Sequence, residues 1–381
     1  MIIEGKSEKP VYLWINDGKA ELHSARNIWG KDAIETKTLI KEDWGESKIS
    51  VACIGPAGEK EVAIACIVVD EHSFAGGCGL GAVLGSKKLK GIAVKGTQKI
   101  SVFDETKLRE MNNKWLKIIG NAAKNTFRAH GTANDVIPCE QAGDLPIKYW
   151  TESSWAEGAQ KIGAPRFTEE LQAKAWSCPY CPVGCHRHVR FDYQGEYIEG
   201  AGAEYESLGM LGSNCLIDDL LSLSKANDLC NRLDIDTISA GSYVAFTMEC
   251  FEKGLITSKD LAGREANWGD GEFLVELIHQ IGIKRGFGKL FSKGIRSAAA
   301  KIGSGAEGLI VEVKNLDLPT HDPRMYFSLA INYATSTRGA CHLRGYPHIA
   351  EIGSMLIPEV DLNQVPRRFQ MEEKAQLTAL F

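Results

Sequence analysis

Three cysteines within eight residues, Cys178-Pro-Tyr-Cys181-Pro-Val-Gly-Cys185, constrain this chain more than any other feature. Two residues and then three separate the thiols, so a single loop has to wrap them around one centre. Proline and glycine permit the tight backbone this needs. Thiolates converging at such spacing suit an iron–sulfur cluster. Zinc is the competing occupant, with His186 and His188 at hand as further donors, and plain packing is the third reading. No fourth ligand is marked. Cys215, Cys230, Cys250 and Cys341 qualify by composition only, and each reads more simply as a small buried hydrophobe.

The 381 residues, 44% of them hydrophobic, are enough for a large core in more than one domain. Eleven cysteines, an odd number, follow a start (MIIEGKSEKP) that has no apolar signal stretch. Together these predict a soluble, cytoplasmic protein whose thiols serve packing or metal rather than a disulfide framework. The net charge of −5 gives no case for nucleic acid or an anionic membrane as partner. The longest apolar stretch, 62–69, is too short to cross a bilayer.

Along the chain the hydrophobic period changes once. Residues 11–15 (VYLWI) form a strand-like run ended by the turn signal Asn16-Asp17-Gly18, and 49–54, 62–69 and 92–94 read as further strands. Between them Ala75-Gly-Gly-Cys-Gly-Leu-Gly81 is too glycine-dense for regular structure. After Gly96 the pattern turns helical. Leu108, Met111, Trp115, Ile118 and Ala122 make one apolar stripe, with Asp104 placed to cap it. Segment 131–168 has no period and reads as a long connector, whereas 169–176 looks helical. Residues 216–254 read as helix interrupted near Asp234-Ile-Asp236, and 272–285 and 289–301 as further helices. The fold class is therefore α+β: a β-rich portion over 1–100, then a mainly helical portion over 101–381 that carries the cysteine loop.

Several motifs occur together in one order. They are Ile54-Gly-Pro-Ala-Gly-Glu59, Gly81-Ala-Val-Leu-Gly-Ser-Lys-Lys-Leu-Lys90, the cysteine run, Ala203-Glu-Tyr-Glu-Ser207, Asp236-Thr-Ile-Ser239, Met248-Glu-Cys-Phe-Glu-Lys-Gly254, Asp322-Pro-Arg324 and Tyr333-Ala-Thr-Ser-Thr-Arg-Gly-Ala-Cys-His342. In this order they resemble the tungsten-pterin aldehyde:ferredoxin oxidoreductases over nearly the whole chain. The resemblance implies a tungsten (less often molybdenum) ion held by two pterins beside one [4Fe–4S] cluster. It implies oxidation of aldehydes to carboxylic acids, with electrons leaving through the cluster to ferredoxin or another iron–sulfur subunit. Cys178, Cys181 and Cys185 would ligate the cluster, and Glu206 and His342 match the acid–base pair near the metal. Read alone, Glu206 is a charge in a polar run and His342 a lone histidine. Ser73, Phe74 and Gly76 match the loop that meets pterin phosphate, with Mg²⁺ at that point. Asn231, Ile235 and Asp236 match a second pterin contact, and Leu343 and Arg344 a third. On this resemblance 1–100 is part of a pterin-binding β domain.

The chain also departs from the family pattern. Members commonly carry arginine at the positions of Ser73 and Gly77 and glycine at that of Cys78. Their D-x-x-G-L-D motif stands here as Asn231-Arg-Leu-Asp-Ile-Asp236. Lys225 and Val275 replace residues that bind a metal between subunits in some members, so that bridge is expected to be absent, while a homodimer or heteromer is compatible. Family proteins are expected to begin before Met1 and to continue past Phe381, where a second pterin motif and the fourth cluster cysteine lie. The chain by itself is then expected to bind cofactor poorly. A benzoyl-CoA reductase-like active-site subunit on the same scaffold, or a non-catalytic remnant, are the alternatives.

Overall fold

The computed structural model describes residues 2–46 and 48–381. The VYLWIN run alternates inward and outward as β1 (Val11–Asn16), burying Tyr12 and Trp14. Asp17 and Gly18 take φ of 46° and 84°, the left-handed pair that a tight hairpin requires, and return the chain as β2 (Lys19–Ser24). Asp32 and Glu35 form a reciprocal capping box at the start of α1 (Ala33–Trp44). Trp44 then stacks on Trp14 at 4.1 Å and donates from Nε1 to the Tyr12 hydroxyl at 3.1 Å.

Next come β3 (Ser50–Cys53), α2 (Pro56–Glu59), β4 (Ile67–Val69), β5 (Ser73–Ala75), α3 (Leu80–Ser86) and β6 (Leu89–Lys95). The strands make one six-stranded sheet in the order β2-β1-β6-β3-β4-β5, with β1 and β6 parallel and every other pair antiparallel. Under it lies a buried ion pair. Lys90 Nζ sits 2.5 Å from Glu59 Oε1 and donates to the Lys31 carbonyl at 2.8 Å, while both Glu59 oxygens accept from Gly30 N–H. Both charges come from the motif segments noted above, which these contacts tie together.

The strand expected over 62–69 is confined to β4. Val62, Ile64 and Ala65 leave the sheet and are buried in the helical core, because their backbone pairs with a segment 170 residues later. Ala65 bridges Ile235, Cys66 N–H donates to the Asp234 carbonyl (2.7 Å), and Asp236 N–H donates to that of Ile64 (3.0 Å). Asp234 adopts φ 58°, in the left-handed region. Aspartate tolerates this conformation. Here its buried carboxylate also accepts from the N–H groups of Ala57 and Gly58, closing the first turn of α2.

Beyond the sheet, Asp104 caps α4 (Glu105–Ala123) as expected, accepting from Lys107 N–H at 2.9 Å. Its apolar stripe does not face a core. Leu108, Met111, Trp115 and Ile118 are each close to half exposed, since among the described residues only α5 (Phe127–His130) makes more than marginal contact with it. The connector expected over 131–168 is instead folded into a 3₁₀ turn (Gly131–Asp135), α6 (Val136–Ala142), α7 (Ala156–Ile162) and the start of α8 (Arg166–Glu170). Each helix is too short to display a period, and Gly143 at φ 79° ends α6. The helix expected over 169–176 ends with α8, and the chain enters a three-stranded sheet of β7 (Lys174–Trp176), β8 (His186–Tyr193) and β9 (Glu196–Ala201).

The remainder is mainly helical: α9 (Tyr205–Leu211), α10 (Leu220–Leu233), α11 (Thr237–Glu252), α12 (Gly271–Gly282) and α13 (Ile295–Ile302). After them come the ribbon β10 (Glu312–Val313) and β11 (Leu316–Asp317), then α14 (Phe327–Thr335), α15 (His348–Glu351) and α16 (Lys374–Leu380). The break between α10 and α11 falls at Asp234–Asp236 as expected. The helix expected over 289–301 starts only at Ile295, because Phe287–Lys293 is 3₁₀. α11 is buried almost all round and forms the centre of the larger core. No helix among the described residues is long and apolar enough to cross a membrane. The fold is α+β.

Candidate active site

A cavity of about 570 Å³ opens where the β5–α3 loop faces the start of α11 and the 3₁₀ turn His342–Arg344. The loop can come this close only because it lacks side chains. A β-carbon on Gly76 would stand 2.1 Å from Asp236 Oδ2, and one on Gly77, at φ 80°, 2.6 Å from the Arg338 guanidinium. Asp236 caps α11 through Ser239 N–H at 2.9 Å, which fixes its carboxylate at the cavity wall. Arg338 reaches over from beyond α14 and donates to the Gly76 carbonyl at 2.6 Å. A guanidinium thus stands beside Gly77, and its Nε is buried without a partner.

Phe74, Gly76, Asn231, Ile235, Asp236, His342, Leu343 and Arg344 all line this cavity. Ser73 does not; it is exposed on β5, in register with Val69. Glu206, on the first turn of α9, lies behind the wall, with Oε2 accepting from Thr320 N–H at 2.8 Å and Oε1 3.2 Å from His342 Nδ1. These last two atoms are buried and make no hydrogen bond. Burial drives the His342 imidazole down to about 3, helped by the neighbouring His321 and Arg338. Burial likewise pushes the Glu206 carboxyl above its ordinary range, against the pull of His321 and the Thr320 N–H. The imidazole at the wall therefore stays uncharged near neutral pH, and the carboxyl of raised pKa behind it is the member of the pair that can hold a proton.

Cys178, Cys181 and Cys185 sit on the β7–β8 loop, partly exposed, where Cys181 N–H donates to the Cys178 carbonyl at 3.0 Å and Gly184 takes φ 67°. The loop adjoins the cavity. His186, next after Cys185, has Nδ1 3.0 Å from Glu204 Oε1, and Glu204 lines the cavity at the head of α9. Cys215, Cys230 and Cys250 are fully buried, and Cys341 nearly so. The first three pack among apolar side chains of the core, as small hydrophobes do. Lys225 is paired with Glu196 at 2.8 Å.

Sequence reasoning missed Arg338, Asp317, Asp144 and His321. Asp317 lines the cavity, and burial raises its carboxyl to about 7 against hydrogen bonds from Ser239 and Ser242. An unfolded aspartate loses its proton near pH 3.9. Its contribution to stability is therefore complete below that pH and is lost as pH rises through about 7. Asp317→Asn is expected to stabilise the chain by about 1–3 kcal/mol at pH 8 and to make little difference at pH 4. Urea unfolding at the two pH values checks this; an equal effect at both would discount titration of this group.

A family model described as "Aldehyde ferredoxin oxidoreductase, domains 2 & 3" matches residues 110–381. The chain belongs to the aldehyde ferredoxin oxidoreductase family. The model of that family's N-terminal domain matches residues 1–96. The tungsten-containing aldehyde ferredoxin oxidoreductase of Pyrococcus furiosus is 36% identical over 363 residues, covering 94% of this chain and 58% of the relative. That of Thermococcus kodakarensis is 35% identical over the same shares. The WOR-like subunit of an aliphatic sulfonate oxidoreductase of P. furiosus is 31% identical over 90% of this chain and 58% of its own length. This chain thus spans somewhat more than half the length of the curated relatives it matches. Among solved structures, the active-site complex BamBC of benzoyl coenzyme A reductase shares the fold, with TM-score 0.78 over 98% of this chain and 62% of that one at 22% identity.

Proposed function

We propose that this chain carries the acid–base wall and the cluster loop of a tungsten-pterin oxidoreductase that oxidises aldehydes to carboxylic acids. A ferredoxin-like iron–sulfur protein takes the electrons. The observation that supports this most is the Glu206–His342 pair set at the wall of a glycine-lined cavity, in a member of this family. The residues fit the group. The unpartnered Arg338 Nε and the backbone bared at Gly76 and Gly77 suit an anionic, hydrogen-bonding ligand such as a pterin phosphate, with Mg²⁺. Phe74, Asn231, Ile235, Asp236, Leu343 and Arg344 would hold the pterin, with Asp236 accepting from ring N–H groups. Cys178, Cys181 and Cys185 would hold the [4Fe–4S] cluster. Ser73, off the cavity, would contribute only through the backbone of β5.

Bound there, the tungsten–pterin group supplies an acceptor for two electrons. The chain's own residues then do the rest. His342, uncharged and facing the cavity, would relay a proton from water or a hydrated aldehyde to Glu206, whose raised pKa lets it hold that proton. Because the relatives are longer, the complete site is proposed for a polypeptide or complex that supplies the remaining length.

Anaerobic expression with tungstate, alone and with that remaining part, followed by metal, sulfide and pterin analysis and aldehyde-dependent dye reduction, tests the reading. Tungsten with aldehyde turnover supports it. Turnover of an aliphatic sulfonate but no aldehyde would replace the substrate class, and zinc alone would overturn the redox function. In the same preparation Cys181→Ser is expected to drop iron from about four per chain to below one, because one thiolate fewer leaves a cluster iron unligated. Iron unchanged in the variant would remove Cys181 from the ligand set.

A further inference from the structure

The acid–base pair does not end at Glu206. His321, just beyond the segment that leads from β11, directs Nε2 at the same Glu206 oxygen that faces His342, at 4.0 Å. Its other nitrogen, Nδ1, lies 2.6 Å from Asp144 Oδ2. Asp144 is 1% exposed, and its second oxygen accepts from Asp322 N–H at 2.8 Å, so the carboxylate cannot turn away. The backbone carrying His321 is clamped as well: the Tyr205 hydroxyl donates to the Thr320 carbonyl at 2.8 Å and the Tyr333 hydroxyl to that of His321 at 3.0 Å. Glu206 Oε1 therefore has two imidazoles around it in one compact cluster, His342 on the cavity side and His321 on the side that Asp144 anchors.

We propose that His321, held in place by Asp144, is a positioning residue that accepts the proton delivered through the Glu206–His342 pair. The proposal rests on the oxidoreductase reading above. Each aldehyde oxidised consumes one water and yields a carboxylic acid, two electrons and two protons. The electrons pass one at a time to the iron–sulfur acceptor, and the protons have to be held on protein groups until they return to water through the cavity. His342 and Glu206 could hold both only as an imidazolium beside a neutral acid, and burial opposes that charge on His342. A third base relieves them. Burial also disfavours the His321 cation, but the hydrogen bond and charge of Asp144, with Glu206 and Asp135, outweigh it and leave the imidazole more basic than usual. From the other packed elements, the His348 and Tyr205 rings face it at 4.9 and 5.3 Å and His342 at 4.7 Å, none of them anionic when it accepts a proton. When the imidazole is neutral, the Asp144 contact favours the proton on Nδ1, which leaves Nε2 towards Glu206.

Two arms test this. In the metal-free chain, ¹⁵N-histidine NMR is expected to show His321 with its proton on Nδ1 and titrating above His342. Asp144→Asn should lower the His321 midpoint, and His321→Gln should raise that of His342. A His321 that titrates below His342, or does not respond to Asp144→Asn, overturns the proposal without any activity measurement. In the tungsten-loaded full-length enzyme, His321→Gln is expected to lower kcat about tenfold to a hundredfold and to shift the pH profile, with KM and metal content unchanged and added imidazole restoring part of the rate. Unchanged kcat and pH profile also overturn it. A wild-type enzyme inactive on aldehydes would sink the functional reading instead, and the NMR arm would still decide on His321.

Discussion

Glu206→Gln is expected to reduce aldehyde oxidation by two to four orders of magnitude in the loaded enzyme, the range over which a positioned acid–base group contributes. The substitution preserves shape and leaves an amide oxygen to accept from Thr320 N–H, now at 2.8 Å from Oε2. Folding and cofactor content should therefore survive. What disappears is a site for the proton between His342 Nδ1 at 3.2 Å and His321 Nε2 at 4.0 Å. The loss should fall on kcat rather than KM, because Glu206 lies behind the wall and does not touch bound aldehyde. Kinetics beside metal analysis on one preparation separate the cases. Lost tungsten would recast Glu206 as structural, and full activity would remove it from the reaction.

Lys90→Met should destabilise the chain by about 3–5 kcal/mol, the usual cost of leaving one partner of a buried ion pair uncompensated. The Lys90 side chain is 0% exposed and that of Glu59 4%. Without the ammonium, Glu59 retains only Gly30 N–H as a donor to its carboxylate. The Lys31 carbonyl loses its donor at the same time. Adding Glu59→Leu should recover most of the loss, since an apolar pair of similar volume removes both charges together. Thermal or urea unfolding of the three chains checks this. A single variant as stable as the parent would mean that water or a side-chain rearrangement solvates Glu59.

What could be read from sequence follows from how local each signal is. The β1–β2 hairpin, the Asp104 cap and the break between α10 and α11 all rest on residues within a few positions of one another, and all are found. Residues Val62–Cys66 look like strand because they are apolar, yet their backbone partners are Ile235 and its neighbours, which no local pattern reveals. The same holds for the site. Glu206 and His342 were legible only through the order of family motifs. His321 and Asp144 lie 177 positions apart, the second in a segment whose short helices carry no period. Arg338 was visible as part of a motif, but its approach to Gly77 depends on tertiary packing.

The distribution of cavity-lining residues also sets an order of events during synthesis. The sheet is complete by Lys95, so the glycine loop can take shape early, while its opposing wall waits for Asp236 and finally for Arg344. Translation at about 5–20 residues per second separates these moments by tens of seconds. Throughout that interval the loop has a floor and no lid. Any group bound in this cavity can therefore be enclosed on both sides only after residue 344 has left the ribosome.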